Sequence, residues 1–377
     1  MKPIEFVHKG RFDATADEVY GWHSRPGALE RLTPPWEQVR LVGDPPEIEN
    51  GSEVTLETRT GPFTMRWVAR HQSVREGESF EDIQVEGPFA SWHHRHLFFP
   101  QGKHCALEDR IRYRLPFGFL GCVAAPLVRP RIERMFQYRH RVLADDLRRH
   151  GAWKREIAMH VAITGSSGLV GSVLVPFLTT GGHQVTRLVR RVVQGDGEAR
   201  WDPNSGFANP DALEGIDAVV HLAGENIADG RWNAKRKAAI RDSRVDGTRN
   251  LCEALAKLER KPKVLVCASA IGYYGDRGDE VLDESASPGD LFLSQTCEEW
   301  ERAAQPARDA GIRVVHVRIG VILSPKGGAL AKMLLPFKLG AGGKIGSGKQ
   351  YMSWIAIDDL VGVIHHTLLM SAHQVAA

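Results

Sequence analysis

Cysteine is scarce in this chain, with five residues in 377, at Cys105, Cys122, Cys252, Cys267 and Cys297. They stand far apart with no C-x-x-C pair, which argues against a disulfide framework and a cysteine-based zinc site. No run of 18 charge-free apolar residues occurs, so no membrane-spanning helix is expected. The opening residues, Met1-Lys2-Pro3-Ile4-Glu5, lack the apolar stretch of a secretory signal. An excess of one charge is lacking too, since 49 Lys and Arg against 46 Asp and Glu leave a formal net charge of +3. The arginine-rich stretches before residue 155 are interleaved with acids, which argues against a nucleic-acid footprint. A soluble protein of a reducing cytoplasm fits these absences.

Glycine, in contrast, is plentiful: 38 residues, concentrated after residue 160, which implies loops that need positive φ or pass close to something. A chain of 377 residues also exceeds the roughly 250–300 at which single cores stop growing, so two domains are expected. Residues 1–150 read mostly as alternating strands, beginning with Ile4–Lys9 and continuing through Val54–Thr58, Thr64–Arg70, Ser79–Val85, Trp92–Phe98 and Cys105–Tyr113. Two short helices are expected near Thr15 and over Pro26–Leu32. A long one is expected over Leu127–Arg149, with Ile132, Met135, Phe136, Val142, Leu143 and Leu147 on one face. The charged segment 151–158 reads as a linker.

One strand, two small helices, an antiparallel run and a long final helix make an α+β domain with an apolar groove under the helix. Over residues 3–148 this order resembles the START-like (SRPBCC, helix-grip) superfamily. The resemblance implies a small apolar ligand in the groove. His94 and His96 share a strand face and are the nearest thing to a metal pair. No acid or cysteine is placed by the sequence to complete it, so no metal is expected.

From Met159 the pattern changes. The strand Met159–Thr164 runs into Gly165-Ser166-Ser167-Gly168-Leu169-Val170-Gly171, then a helix through Phe177, then a strand over His183–Val189. This is the strand–loop–helix–strand context that a dinucleotide motif requires. Gly165 permits the turn, Gly168 lets backbone approach a pyrophosphate and Gly171 permits close helix packing. Ser167, Leu169 and Val170 lie where the loop and helix N-terminus offer N–H groups to phosphates. The second strand ends in Arg190-Arg191 with no acid before Asp196. That favours NADP(H) over NAD, because arginine pairs with a 2′-phosphate. Leu222-Ala223-Gly224 ends a further strand where backbone passes beside the adenine side. Strands over 264–270 and 314–317, with helices over 232–259 and 297–308, complete an α/β Rossmann-type doubly wound parallel sheet across 159–377.

Residues 159–360 resemble an atypical, extended-type short-chain dehydrogenase/reductase subgroup of epimerase-like proteins. The resemblance rests on the loop above, Trp201-Asp202-Pro203, His221–Ile227, Ser243-Arg244-Val245 with Thr248, Ser269–Gly275 and Gly346–Ile355. It implies an epimerase or oxidoreductase and places Ser269 at the substrate carbonyl. The usual Tyr-x-x-x-Lys pair falls on Leu293 and Cys297, which cannot supply a proton and a fixed cation. Tyr273 and Glu225 are the substitute acid or base candidates, with Tyr274 beside the former. Arg318 is placed to reach a phosphate or a substrate carboxylate. Cys297 has no evident base partner for a nucleophilic role. Ala356 stands where relatives carry histidine, and the resemblance implies a small C-terminal segment covering the substrate side, which is expected to be missing from the sequence ending at Ala377. Three readings stay open: an NADPH-dependent enzyme on an apolar substrate, a non-catalytic NADPH sensor, and an apolar-ligand carrier.

Overall fold

The structure is a computed structural model that describes residues 2–43, 47–60, 63–116, 125–152, 158–207, 209–228, 230–344 and 346–370. Cys122 and most of the expected linker lie outside these residues. The chain forms two compact units, Met1–Arg155 with Thr179–Gly182, and Glu156–Leu178 with His183–Ala377.

In the N-terminal unit, alternating side chains build seven antiparallel strands. They are β1 (Ile4–Phe12), β2 (Val39–Val42), β3 (Glu53–Thr60), β4 (Phe63–Arg75), β5 (Ser79–Glu86), β6 (Ser91–Gln101) and β7 (His104–Arg114), in the order β1-β7-β6-β5-β4-β3-β2. Helix α1 (Ala16–Ser24) starts at a capping box in which Thr15 and Glu18 satisfy each other's backbone N–H groups. α2 (Ala28–Leu32) follows, and α3 (Ala125–Gly151) closes the unit. Ile132, Phe136 and Leu143 of α3 are buried against β1, β6 and β7 residues such as Phe6, Phe98 and Ile111. Arg31 of α2 grips Asp146 of α3 with two parallel bonds, at 2.6 and 2.8 Å, in a fully buried ion pair.

The C-terminal unit holds a sheet in the order β11-β10-β9-β8-β12-β13-β14. Its strands are β8 (His160–Thr164), β9 (Gln184–Val189), β10 (Glu198–Asp202), β11 (Gly206–Phe207), β12 (Ala218–His221), β13 (Val264–Ala270) and β14 (Arg313–Ile319). Only β11 runs antiparallel to its neighbour. Without that edge strand this is the 3-2-1-4-5-6 order of a dinucleotide fold, with its switch point between β8 and β12. Successive strand residues serve opposite faces. Val161, Ile163, Ala218, Val220 and Val266 pack on α4 (Gly171–Thr180) and α9 (Ile357–Leu369). Ala162, Val219 and Leu265 pack on α5 (Ala234–Ala256) and α7 (Gln305–Asp309). The helix expected over 297–308 is two helices, α6 (Phe292–Arg302) and α7, because Pro306 enters the first turn of a new helix. A small parallel pair, β15 (Val321–Leu323) with β16 (Trp354–Ala356), and α8 (Gly328–Lys338) complete the unit. Among the described residues no helix is long and apolar enough to cross a membrane.

Candidate functional site

The glycine loop leaves β8 at the switch point. Gly165 has φ +66°, and a Cβ there would sit 2.9 Å from the Leu222 carbonyl carbon. A Cβ on Gly171 would strike the Gly165 carbonyl oxygen and lie 2.6 Å from Ser166 Cα. Both positions therefore need glycine for the loop to close. Gly168 donates its N–H to Gly165 O at 2.9 Å and forms the turn, leaving Ser167 and Gly168 exposed before α4. Leu169 is partly buried, against Gly327 and Gly328 (3.1 and 3.3 Å from their would-be Cβ atoms), and Val170 is buried in the core.

Behind the loop runs a buried polar chain that the sequence did not announce. Thr164 Oγ1 accepts the N–H groups of Leu222 and Ala223 at 3.0 and 3.1 Å, so its own proton points to His221 Nδ1, 2.7 Å away. His221 then carries its proton on Nε2, 3.0 Å from Thr248 Oγ1, which also accepts the Trp300 indole N–H at 2.8 Å. Burial pushes His221 down to about 4, so the ring is neutral at pH 7. The chain holds the ends of β8 and β12 side by side, which fixes the cleft floor. Arg244 on α5 closes its far side, with its guanidinium 3.3 Å from a would-be Cβ of Gly224.

At the end of β9, Arg190 is exposed, and Arg191 is tied to Glu198 at 2.8 Å and to Val192 O. Glu225 is exposed and paired with Arg236 at 2.6 Å. Ser269 and Arg318 are register partners on β13 and β14. Glu301 of α6 joins them: it accepts the Ser269 hydroxyl at 2.7 Å and two Arg318 N–H groups at 2.9 Å each. Burial pushes the Glu301 carboxyl up, but the bonds from Arg318 and Ser269 outweigh it and hold the group below the usual carboxylate range. Arg318 also lies 3.5 Å from the centre of the Tyr273 ring and donates to the Tyr274 hydroxyl at 3.0 Å. Among the described residues the Tyr273 hydroxyl has no hydrogen bond, whereas Tyr274 is engaged. Leu293 packs on Gly272, and burial pushes the Cys297 thiol up, so it is an inert side chain at neutral pH. The structure thus brings Ser269, Tyr273, Tyr274 and Arg318 together through Glu301 and ties Glu225 to Arg236.

The N-terminal unit contains a cavity of about 1280 Å³ bounded by β2–β6 and the three helices. Apolar residues, among them Leu56, Met65, Trp67, Phe89, Trp92 and Ile132, supply most of its wall. Its polar part is built by strand register. Asp82 on β5 faces His94 on β6 and His71 on β4, and Asp109 on β7 faces His96 on β6. His94 Nε2 bonds Asp109 Oδ1 at 2.9 Å, and His140 Nε2 of α3 bonds Asp109 Oδ2 at 2.6 Å. His96 Nε2 bonds Asp82 Oδ2 at 3.2 Å. Burial alone would push His96 down, but Asp109 and Asp82 carry it up to about 9. Burial and the neighbouring His96 push His94 down to about 4. The acids absent from the sequence reading of His94 and His96 come from strands 12 or more residues away.

Residues 161–375 match the model of the NAD dependent epimerase/dehydratase family, and residues 12–137 match that of polyketide cyclase / dehydrase and lipid transport. The chain is similar to a Mycobacterium bovis epimerase family protein, 47% identical over 208 residues that make up 55% of this chain and 68% of the relative. Among solved structures it is similar to a nucleoside-diphosphate sugar epimerase from Corynebacterium glutamicum, at 35% identity and TM-score 0.82. That match covers 97% of this chain and 76% of the other. It is also similar to a human epimerase family protein solved with NADPH, at 39% identity and TM-score 0.50, over 56% of this chain and 70% of the other.

Proposed function

The chain belongs to the NAD dependent epimerase/dehydratase family, with an SRPBCC helix-grip domain fused at its N-terminal side, and from this premise we propose that it is an NADP(H)-binding, epimerase- or oxidoreductase-like protein acting on an apolar substrate. The observation that carries the nucleotide half is the loop at the β8/β12 switch point, whose Gly165 and Gly171 leave no room for a Cβ. The human relative's bound NADPH supports the choice of nucleotide. So does the second strand's end, where Arg190 is exposed and Arg191 is already paired with Glu198. Arg190 is therefore the residue for the 2′-phosphate, and Arg191 shapes the turn.

The cofactor supplies a hydride when bound. The chain's own residues have three tasks. Tyr273 supplies or takes the substrate proton, its ring held flat against Arg318. Arg318 is positioned by Glu301 and orients both tyrosines. Ser269, buried and with its proton committed to Glu301, holds that carboxylate in place beside Arg318.

A second reading, the non-catalytic sensor, is favoured by that same Ser269–Glu301 bond together with Leu293 and Cys297 in place of the proton donor and cation. The test is single-turnover mixing of the full chain with C4-deuterated NADPH and a panel of apolar aldehydes and ketones. Deuterium transfer that Tyr273→Phe abolishes supports the enzyme. Tight NADPH binding with no transfer across the panel supports the sensor and removes the enzyme reading.

A further inference from the structure

Histidine and aspartate are poor choices for lining an apolar cavity unless they bind something, because buried polar groups cost free energy when unpaired. Two adjacent rungs of the N-terminal sheet nevertheless place two carboxylates and three imidazoles on one face. Asp82, His94, His96 and His71 all line the 1280 Å³ cavity, whereas Asp109 lies behind them at 2% exposure.

The donors divide into two layers. Asp109 Oδ1 lies 2.9 Å from His94 Nε2 and 2.8 Å from His96 Nδ1. It therefore engages one nitrogen of each ring, by a hydrogen bond to His94 and by a close but unaligned contact to His96, and leaves His94 Nδ1 and His96 Nε2 for another partner. Both remaining nitrogens approach the same atom, Asp82 Oδ2, at 3.9 and 3.2 Å. Asp82 itself is backed by His71, whose Nδ1 lies 2.6 Å from Oδ1. Donor atoms of Asp82, His94 and His96 all fall within 4.8 Å of one another. A tetrahedral zinc with bonds of 2.0–2.2 Å has ligand–ligand edges of about 3.4 Å, and the two separations from Asp82 Oδ2, 3.2 and 3.9 Å, bracket that edge. Imidazoles backed by a carboxylate are also the usual surroundings of metal-binding histidines. Asp82 Oδ1, His71 Nδ1 and His96 Nδ1 are buried without an aligned hydrogen bond, so the cluster is incompletely satisfied as it stands.

We propose that Asp82, His94 and His96 bind a divalent transition-metal ion whose open coordination position faces the cavity and takes the carboxylate or enolate head of an apolar ligand. Two imidazoles and one carboxylate suit zinc or iron(II) better than calcium or magnesium. Three protein ligands leave a fourth position, as in sites that bind ligands and unlike closed structural ones. Asp82 and Asp109 bring two negative charges into the interior, one of which the protonated His96 already offsets; a divalent ion at His96 Nε2 would displace that proton and take over its role. The inference does not rest on the nucleotide reading, and either can fail without the other.

The full chain, stripped with a chelator and dialysed, is titrated with zinc alone. One tight equivalent is expected. His94→Ala and His96→Ala should lose it, Asp109→Asn should weaken it by about 10–100-fold, and the hairpin variant His104→Ala should retain it. No tight equivalent, or one that survives both alanine variants, overturns the proposal. Should the alanine variants fail to fold, cobalt-loaded His94→Cys provides the answer: a thiolate-to-metal charge-transfer band is expected, and bound cobalt without it refutes the assignment. Dodecanoate added to the cobalt protein should shift its visible bands, and unchanged bands refute the head-group part.

Discussion

Acidification from pH 7.5 to 5 should cost the C-terminal domain about 2 kcal/mol through His221 alone. The ring is fully buried and its burial pushes it from 6.5 to about 4. At pH 5 the unfolded chain therefore binds a proton that the folded domain refuses. Stability rises with pH wherever the unfolded state holds more protons, so this contribution is fully present above 6.5, is lost as pH falls toward 4, and levels off below. The full interval corresponds to roughly 3 kcal/mol at 1.36 kcal/mol per pH unit. The hydrogen bonds supply the reason. Both lone pairs of Thr164 Oγ1 accept backbone N–H groups, so an added proton on His221 Nδ1 would face a hydroxyl with nothing left to accept it. The measurement is the urea midpoint of the C-terminal transition for the native chain and His221→Asn at both pH values. The variant should be less stable at pH 7.5, and the gap should narrow by about 2 kcal/mol at pH 5. A gap independent of pH would show that His221 is not the buried neutral imidazole described.

Gly171→Ala should weaken NADPH binding at least about 10-fold and cost about 1–3 kcal/mol, since the new methyl overpacks the loop against Gly165 and Ser166; fluorescence titration and thermal melting read the two effects. Arg190→Ala should weaken NADPH by about 10–100-fold, the worth of a charge-assisted bond, and leave NADH unchanged; equal losses for both nucleotides would remove Arg190 from the 2′-phosphate. Arg31→Ala should destabilise the N-terminal domain by about 3–5 kcal/mol, because it strands the buried Asp146 carboxylate; calorimetry of the full chain should show that transition moving and the other staying in place.

Features set by a few consecutive residues were legible before the fold was seen. The α1 cap needs only Thr15 and Glu18, and the glycine loop needs only 165–171 between two apolar strands. Short or polar elements were not legible. β2 and β10 escaped notice because their alternation runs over only four and five residues, too few to stand out from loop, and the α6–α7 break is a local turn at Ala303-Ala304 that a continuous apolar face conceals. In the candidate sites the limit was sequence distance. Glu301 reaches Ser269 across 32 residues and Arg318 across 17. Asp82 and Asp109 meet the histidines only through strand register. His221 was visible as a strand residue, but its partners Thr164, Thr248 and Trp300 lie on three other elements.

The two polar rungs of the N-terminal sheet also bear on how β5, β6 and β7 find their alignment. Hydrophobic alternation alone distinguishes the inner face from the outer but tolerates a slip of two residues, which leaves the same pattern inside. With Asp82 opposite His94 and His96 opposite Asp109, a two-residue slip of β6 would set His96 across from Asp82 and Phe98 across from Asp109. That arrangement buries a carboxylate beside a phenyl ring, at a cost of several kcal/mol. The pairs therefore work as a key for the three strands, selecting one pairing among those that the greasy residues would accept.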